Sequence, residues 1–387
     1  MSSSIKGMNA NCHICYAKSL ELFPDYHCLP RVASDCVPWR SGGHLAICSE
    51  CSCVQNPVDE TWHKEVSEIY SRYKIYRQSA GSEQSVFCEN KPLMPRSARV
   101  FNQARAYLDL TKPERLLDIG CANGELLRCF SQLAPHWKMV GFEIDEKCRR
   151  EVESIPGVEA FISGSLDQIN QTFDLITLMH VFEHLPYPTE WLKKLRKLLT
   201  PNGFIFIQVP DPKQNPYNLL VADHCSHFIL RDLIQIAQKE TFEIVAHSDQ
   251  WVLREFSLLI KPAKDQIASK KIQAGSHSTY PQNSLRWLHD IVRLAKSFPK
   301  DKQRGIWGTA IAGTWLYSIM DDEVDFFVDE DANRIGQKHL GKPIYSPNQV
   351  PKESNIFVAL TPEIASSIVN RWSHLQVSLH PPPKLIY

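Results

Sequence analysis

This chain has no surplus of either charge: 43 Lys and Arg stand against 43 Asp and Glu, and the formal net charge is zero. A broad electrostatic face for nucleic acid or an anionic membrane is therefore not expected, although a local basic patch is still allowed. No apolar run approaches ~20 residues, so no membrane span is expected. The first residues, MSSSIKGMNANC, hold no apolar stretch of the kind that directs export, and the expected compartment is the cytoplasm. Disulfides are disfavoured there, so the 12 Cys read first as metal ligands or free thiols. What is present is an ordinary globular composition. Over 387 residues, 43% are hydrophobic and 22% charged, enough for an ample core and two or three domains.

The stretch that organises the rest is residues 116–127, LLDIGCANGELL. Two Leu, an Asp, a run of small residues and an amphipathic start predict strand, tight turn and helix. Gly120, Ala122 and Gly124 carry little or no side chain. A ligand can approach the backbone closely, with the helix N-terminus facing it. Residues 139–145, MVGFEID, follow about one βα unit later. They predict a second strand ending in Glu143, placed to meet the two hydroxyls of an adenosine ribose. A dinucleotide-binding turn would want G-x-G-x-x-G, which the stretch from Gly120 lacks.

Asp118-x-Gly120-x-Ala122-x-Gly124 resembles the D-x-G-x-G-x-G turn of the class I S-adenosylmethionine-dependent methyltransferases, with Ala for the middle Gly. Glu143 stands at that family's ribose position. Residues 163–166, SGSL, fall where the family contacts adenine, and residues 173–180, FDLITLMH, resemble its fourth strand. The resemblance covers residues 98–256. It implies a Rossmann-like α/β core with a mixed, mostly parallel sheet, and S-adenosyl-L-methionine as cofactor. The contacts it implies are Asp118, Gly120, Cys121, Ala122, Gly124, Glu143, Ser165, Leu166 and His180.

Flanking segments read differently. Cys12-x2-Cys15 and Cys48-x2-Cys51 are two knuckles, each able to hold one edge of a tetrahedral Zn²⁺. Cys53, Cys36, Cys28 and His13 are spare candidates. Four thiolates leave no open coordination position, so the metal is expected to be structural. Unmetallated thiols are the plain alternative, whereas a redox C-x-x-C needs no second pair. Residues 1–90 are expected to form this module and a Tyr-rich connector, in which Tyr70, Tyr73 and Tyr76 recur at helix-like spacing. Residues 91–262 form the α/β core, with strands RLLDIG, KMVGFE, FDLITLM and GFIFIQV. Residues 263–387 begin with a polar linker and continue as a second Rossmann-like unit. That unit has a Gly-containing turn after Gly305 and a strand ending in Asp329; its glycine spacing departs from G-x-G-x-x-G.

Two constellations have the makings of chemistry. His180-x-x-Glu183-His184 matches the inverted zinc-protease pattern H-x-x-E-H. It follows a strand, and Pro186 and Pro188 come directly after, so no continuous helix presents the two His. The second is Asp223-His224-Cys225-Ser226-His227, beyond the fifth predicted strand. Ligands of α/β sheets bind outside the carboxyl ends of strands, and a His beside an acid there suits a general base.

The whole layout resembles the sugar C-methyltransferases, which methylate a carbon next to a ketone in nucleotide-activated deoxysugars. The resemblance implies a substrate-side Tyr at Tyr76, with Tyr73 as its competitor, a His at His184, and an acid–base pair at Asp223-His224. It also implies a tail that helps hold the nucleotide-sugar, near Asp329 and the Gly305 turn. Val221 departs from the family, which has Tyr there. The expected chemistry is removal of an acidified C–H proton by His224, with Asp223 fixing its tautomer, and in-line attack of the enolate on the sulfonium methyl. His184 and Tyr76 would orient the sugar or steady the enolate. The rivals are an O- or N-methyltransferase of a sugar or other small metabolite, and a zinc-ribbon binding protein with a non-catalytic methyltransferase fold. An RNA methyltransferase is a third, weakened by the zero net charge.

Overall fold

In the computed structural model, residues 10–74, 83, 85–88, 91–263, 272 and 279–386 are described. Residues 10–74 build a small module of short antiparallel strands. Leu20–Leu22, Ala46–Cys48 and Val54–Gln55 lie side by side, and Arg31–Val32 pairs with Pro38–Trp39. Helix α1 (Glu60–Ser71) follows, capped by Asp59, whose carboxylate accepts from the Trp62 N–H. The helix ends at Ser71, so Tyr70 lies on it while Tyr73 already follows it. Helical spacing therefore does not run through all three tyrosines.

The core has seven strands: β1 (Arg115–Ile119), β2 (Lys138–Glu143), β3 (Val158–Ser163), β4 (Phe173–Met179), β5 (Leu199–Pro210), β6 (Phe242–Ser248) and β7 (Glu255–Pro262). Their order across the sheet is 3-2-1-4-5-7-6. All pair in parallel except β7, which runs antiparallel to both of its neighbours. Strand side chains alternate between faces, so adjacent leucines go to different cores. Leu116 and Leu175 pack with helices α2 (Arg96–Ala104) and α3 (Glu125–Leu133). Leu117 and Ile176 pack on the other face with α4 (Pro188–Lys197) and α5 (Leu230–Lys239). Both faces are covered, which is why these strands read as nearly unbroken apolar runs. The expected α/β fold with a mostly parallel sheet is observed.

The C-terminal unit is a six-stranded sheet of β8 (Arg304–Trp307), β9 (Phe326–Val328), β10 (Lys338–His339), β11 (Lys342–Tyr345), β12 (Asn355–Val358) and β13 (Ser378–His380), in the order 10-11-9-8-12-13. Helices α6 (Tyr280–Lys296), α7 (Ile311–Met320) and α8 (Pro362–Arg371) accompany it. The N-terminal module shares one core with this unit. Tyr26 and Leu29 pack with Tyr217, Trp287 and Trp315. The Tyr26 hydroxyl donates to Leu219 O at 2.6 Å, and Trp315 Nε1 donates to Pro30 O at 2.9 Å. No helix among the described residues is long and apolar enough to cross a membrane.

Arg31 joins the module's hairpin to α1. Its guanidinium donates to both Glu65 oxygens, at 2.9 and 2.7 Å, and its side chain is 3% exposed. Bidentate geometry offsets the desolvation of both charges, whereas a lone carboxylate there has no such offset. Arg31→Met is therefore expected to destabilise the protein by about 3 kcal/mol, read as a lowered denaturation midpoint, because it leaves Glu65 only the longer contacts from Arg40 at 3.5 Å and Trp39 Nε1 at 3.4 Å. The Arg31→Met, Glu65→Leu pair should cost clearly less. Equal losses for the two variants would show that the charge is not the cause.

Candidate active site

The turn after β1 takes the shape its small residues permit. Gly120 and Gly124 have φ of 69° and 84°, with Ala122 between them at 52°. A Cβ on Gly120 would sit 2.4 Å from Val181 Cγ2, so this position excludes a side chain. Ala122 bears a left-handed backbone at a cost of roughly 1–2 kcal/mol. Its N–H donates to Glu143 Oε1 at 3.0 Å, while Ile144 N–H donates to Oε2 at 2.8 Å. Two backbone donors thus hold the carboxylate at the tip of β2, and each oxygen keeps a lone pair for a hydroxyl. Asp118 lies underneath. It is 2% exposed, accepts from Thr177 Oγ1 at 2.7 Å, and burial pushes its pKa up to about 7. Leu166 also points into the core, and Ser165 caps the short turn after it, accepting from Asp167 N–H at 3.2 Å. These two expected contacts, Asp118 and Leu166, brace the site from below.

Because β1 and β4 are neighbours, with Leu178 opposite Ile119, the loop after β4 opens beside this turn. His180 starts it with φ of 54°. Its Nε2 lies 3.0 Å from Glu255 and its Nδ1 3.4 Å from the buried Glu183. Burial alone would lower the His180 pKa, but the charge of Glu255, assisted by Glu183, raises it to about 9. His184 ends the loop. Three oxygens face its Nδ1: Asp223 O at 3.1 Å, Asp223 Oδ2 at 3.4 Å and the Tyr70 hydroxyl at 3.2 Å. Neither Asp223 oxygen can donate, so Nδ1 carries the proton and Nε2 the lone pair.

This corrects the expected pairing of Asp223 with His224. The Asp223 carboxylate is fully buried, accepts from Ser34 N–H at 2.9 Å and from Ser34 Oγ at 2.5 Å, and faces His184. His224 instead stands edge-on to His184, with ring centroids 4.5 Å apart. Burial, reinforced by His184, His227 and His180, pushes its pKa well below the usual value. Tyr70 reaches His184, where Tyr76, with Tyr73 as its competitor, was expected. Tyr73 lies 3.3 Å from Ser34 Oγ, and Tyr76 lies outside the described residues. Sequence reasoning missed Ser34 and Asn56, which nothing in their local pattern marks.

Among the described residues, two groups bring donor atoms close enough to share a cation. Cys12, Cys15, Cys48 and Cys51 converge, with Sγ separations of 3.7 Å for Cys12–Cys51 and 3.6 Å for Cys15–Cys48. A tetrahedron with arms of about 2.3 Å has edges of about 3.8 Å, so the four thiols fit zinc. Gln55 Nε2 and Cys15 N–H both donate to Cys12 Sγ, at 3.0 and 3.4 Å, as suits a thiolate. Cys53 is buried nearby, and His13 turns to Ser226 instead. Glu183, His184 and His224 form the second group, with one donor atom each within 4.8 Å of the others. In the C-terminal unit Asp329 accepts from Thr309 Oγ1 at 2.6 Å and pairs with Arg334 at 3.2 Å.

Residues 95–247 match a family model described as a methyltransferase domain. A malonyl-[acyl-carrier protein] O-methyltransferase of Halalkalibacterium halodurans is 29% identical over 139 residues, 33% of this chain and 46% of that protein. A ubiquinone biosynthesis O-methyltransferase of Xanthomonas oryzae pv. oryzae is 30% identical over 130 residues, 30% of this chain and 51% of the other. This chain thus spans about half the length of these curated relatives. The solved CcbJ methyltransferase of Streptomyces caelestis is 15% identical and overlays with a TM-score of 0.36, covering 43% of this chain and 94% of its own.

Gly120→Val is expected to weaken S-adenosylmethionine binding by at least ~10-fold by calorimetry, through the Val181 clash and the strained φ. Unchanged affinity in a folded variant would place the cofactor elsewhere. The His180–Glu255 pair predicts a pH effect. The raised His180 pKa contributes stability in full below pH 6.5, and this is lost as pH rises to about 9. Wild type should lose melting temperature across that window, and His180→Gln should lose distinctly less. Parallel curves would remove His180 from the account.

Proposed function

We propose that this chain transfers a methyl group from S-adenosylmethionine to a carbon beside the ketone of a nucleotide-linked keto-sugar. The observation that carries the reading is the His184–Asp223–Tyr70 cluster, beside the Gly120–Gly124 turn at the carboxyl edge of the sheet. The turn and Glu143 would bind the adenosyl part. The bound cofactor supplies an electrophilic methyl group. Carbon methylation then needs an acceptor made nucleophilic at neutral pH.

His184 suits the base. Its Nε2 holds the lone pair, and Asp223 opposite Nδ1 steadies the imidazolium that forms when Nε2 takes the proton. With Nδ1–H pointing at the Tyr70 oxygen, the Tyr70 hydroxyl proton is free to donate to the developing enolate oxygen. Burial raises the Tyr70 pKa, with Asp223 adding to the effect, so Tyr70 remains a donor. His224, neutral by burial, lines the acceptor side without a proton-transfer role. The four cysteines would hold a structural zinc. Methylation of an oxygen is the second reading, and the two O-methyltransferase relatives are what favour it.

The test is wash-in of solvent deuterium next to the ketone, across a panel of nucleotide-linked keto-sugars with S-adenosylhomocysteine bound. His184→Gln should slow exchange by roughly 10²-fold or more, and His224→Gln by far less. Exchange that is absent in wild type, alongside methylation of a hydroxyl, would replace carbon by oxygen. Exchange lost only in His224→Gln would move the base there.

A further inference from the structure

The segment that carries Asp223 and His224 belongs to the core in sequence but is held by the N-terminal module in space. Residues 222–226 are fastened to that module one after another. Ala222 N–H donates to Val32 O at 2.9 Å. Ser34 gives two donors to the Asp223 carboxylate. Asn56 Nδ2 donates to His224 O at 2.7 Å, and Asn56 N–H to Cys225 O at 3.0 Å. Ser226 and His227 then pair with Gln55 and Val54 as the fourth strand of the module's own sheet. His13 Nε2 lies 2.8 Å from Ser226 Oγ. On the core side, Cys225 N–H donates to Glu183 O, which connects the segment to the loop that bears His184.

The same residues continue to the thiol cluster. Gln55 donates to Cys12 Sγ at 3.0 Å and accepts from His13 N–H at 3.1 Å. His13 is the residue next to Cys12. A metal that fixes Cys12 therefore fixes Gln55 and His13 together, and through them the strand that follows His224. If Cys12 moves, both ends of the Gln55 amide lose their partners, and that amide is buried.

We propose that Gln55 and Asn56 are positioning residues through which metal at Cys12, Cys15, Cys48 and Cys51 sets the placement of the segment bearing Asp223, and that Ser34 is a positioning residue that holds the Asp223 carboxylate against His184. None of the three lies on the cofactor turn. Their effect should reach the acceptor half of the site and leave the cofactor half alone. The inference rests on the proposed role of His184 for its catalytic meaning, but its test does not require methyl transfer.

The experiment uses the full chain with ¹³C-labelled histidine, following the imidazole signals by NMR. His184→Gln and His224→Gln identify two of the signals by their loss. Zinc is removed by a chelator and then returned, and S-adenosylhomocysteine affinity is measured in parallel by calorimetry. The expected result is a reversible shift of the His184 and His224 signals, with affinity unchanged within about twofold. Gln55→Glu and Asn56→Asp keep the side-chain shape but lose the donor. Measured with zinc bound, each should reproduce the shift without loss of metal. Ser34→Ala should shift the His184 imidazole signals, and Ser34→Thr should restore them. If the metal-free chain unfolds, these zinc-loaded variants decide. Signals that stay in place in all of them overturn the proposal, as does a fall in cofactor affinity equal to the change at His184. Weak cofactor binding in wild type would sink the methyltransferase reading while leaving the histidine shifts to judge the coupling.

Discussion

The parallel pairing of β1 with β4 is the constraint that the candidate site inherits. Four consecutive pairs, from Leu116 opposite Leu175 to Ile119 opposite Leu178, fix how far each strand reaches. Both strands are apolar on both faces, so a one-residue slip would exchange every side chain between two filled cores. The buried bond from Thr177 to Asp118 sits within this register and supplies its polar check. With the register set, the glycine turn and the His180–His184 loop must emerge side by side. Val181 fills the space that Gly120 leaves open, so the two loops are complementary in shape as well as adjacent.

A second constraint acts from outside the core. The segment around Asp223 has no partner strand in the large sheet and takes one from the module instead. This arrangement links the cysteine cluster to the residues proposed for the reaction. It also accounts for the buried, uncharged histidines nearby. Burial pushes His13 and His227 down to about 3, as expected of imidazoles that pack within a protein core.

How much of this the sequence disclosed depends on range. The strand–turn–helix, the acid at the end of β2 and the two cysteine knuckles are local patterns, and each can be read from a dozen residues. The convergence of the four thiols was legible as spacing, because two C-x2-C pairs have few other uses. The direction of the Asp223 side chain was not legible. It depends on Ser34, which lies 189 residues away, and no periodicity reports on such a contact. The same holds for Asn56 and His224, separated by 168 residues. Tyr70 faces His184 from the last turn of α1, a contact that helical spacing does not single out.

The core shared by the two ends of the chain bears on how the protein is made. The bond from Trp315 to Pro30 joins residues separated by 285 positions. At about 5–20 residues per second, translation leaves the module waiting roughly 15–60 s for that partner to be synthesised. Until then Tyr26 and Leu29 lack the Trp287 and Trp315 side of the core they share in the folded chain. Early metal capture by the cysteines would give the waiting module a fixed shape, leaving it a docking template rather than a loose end when the last helices arrive.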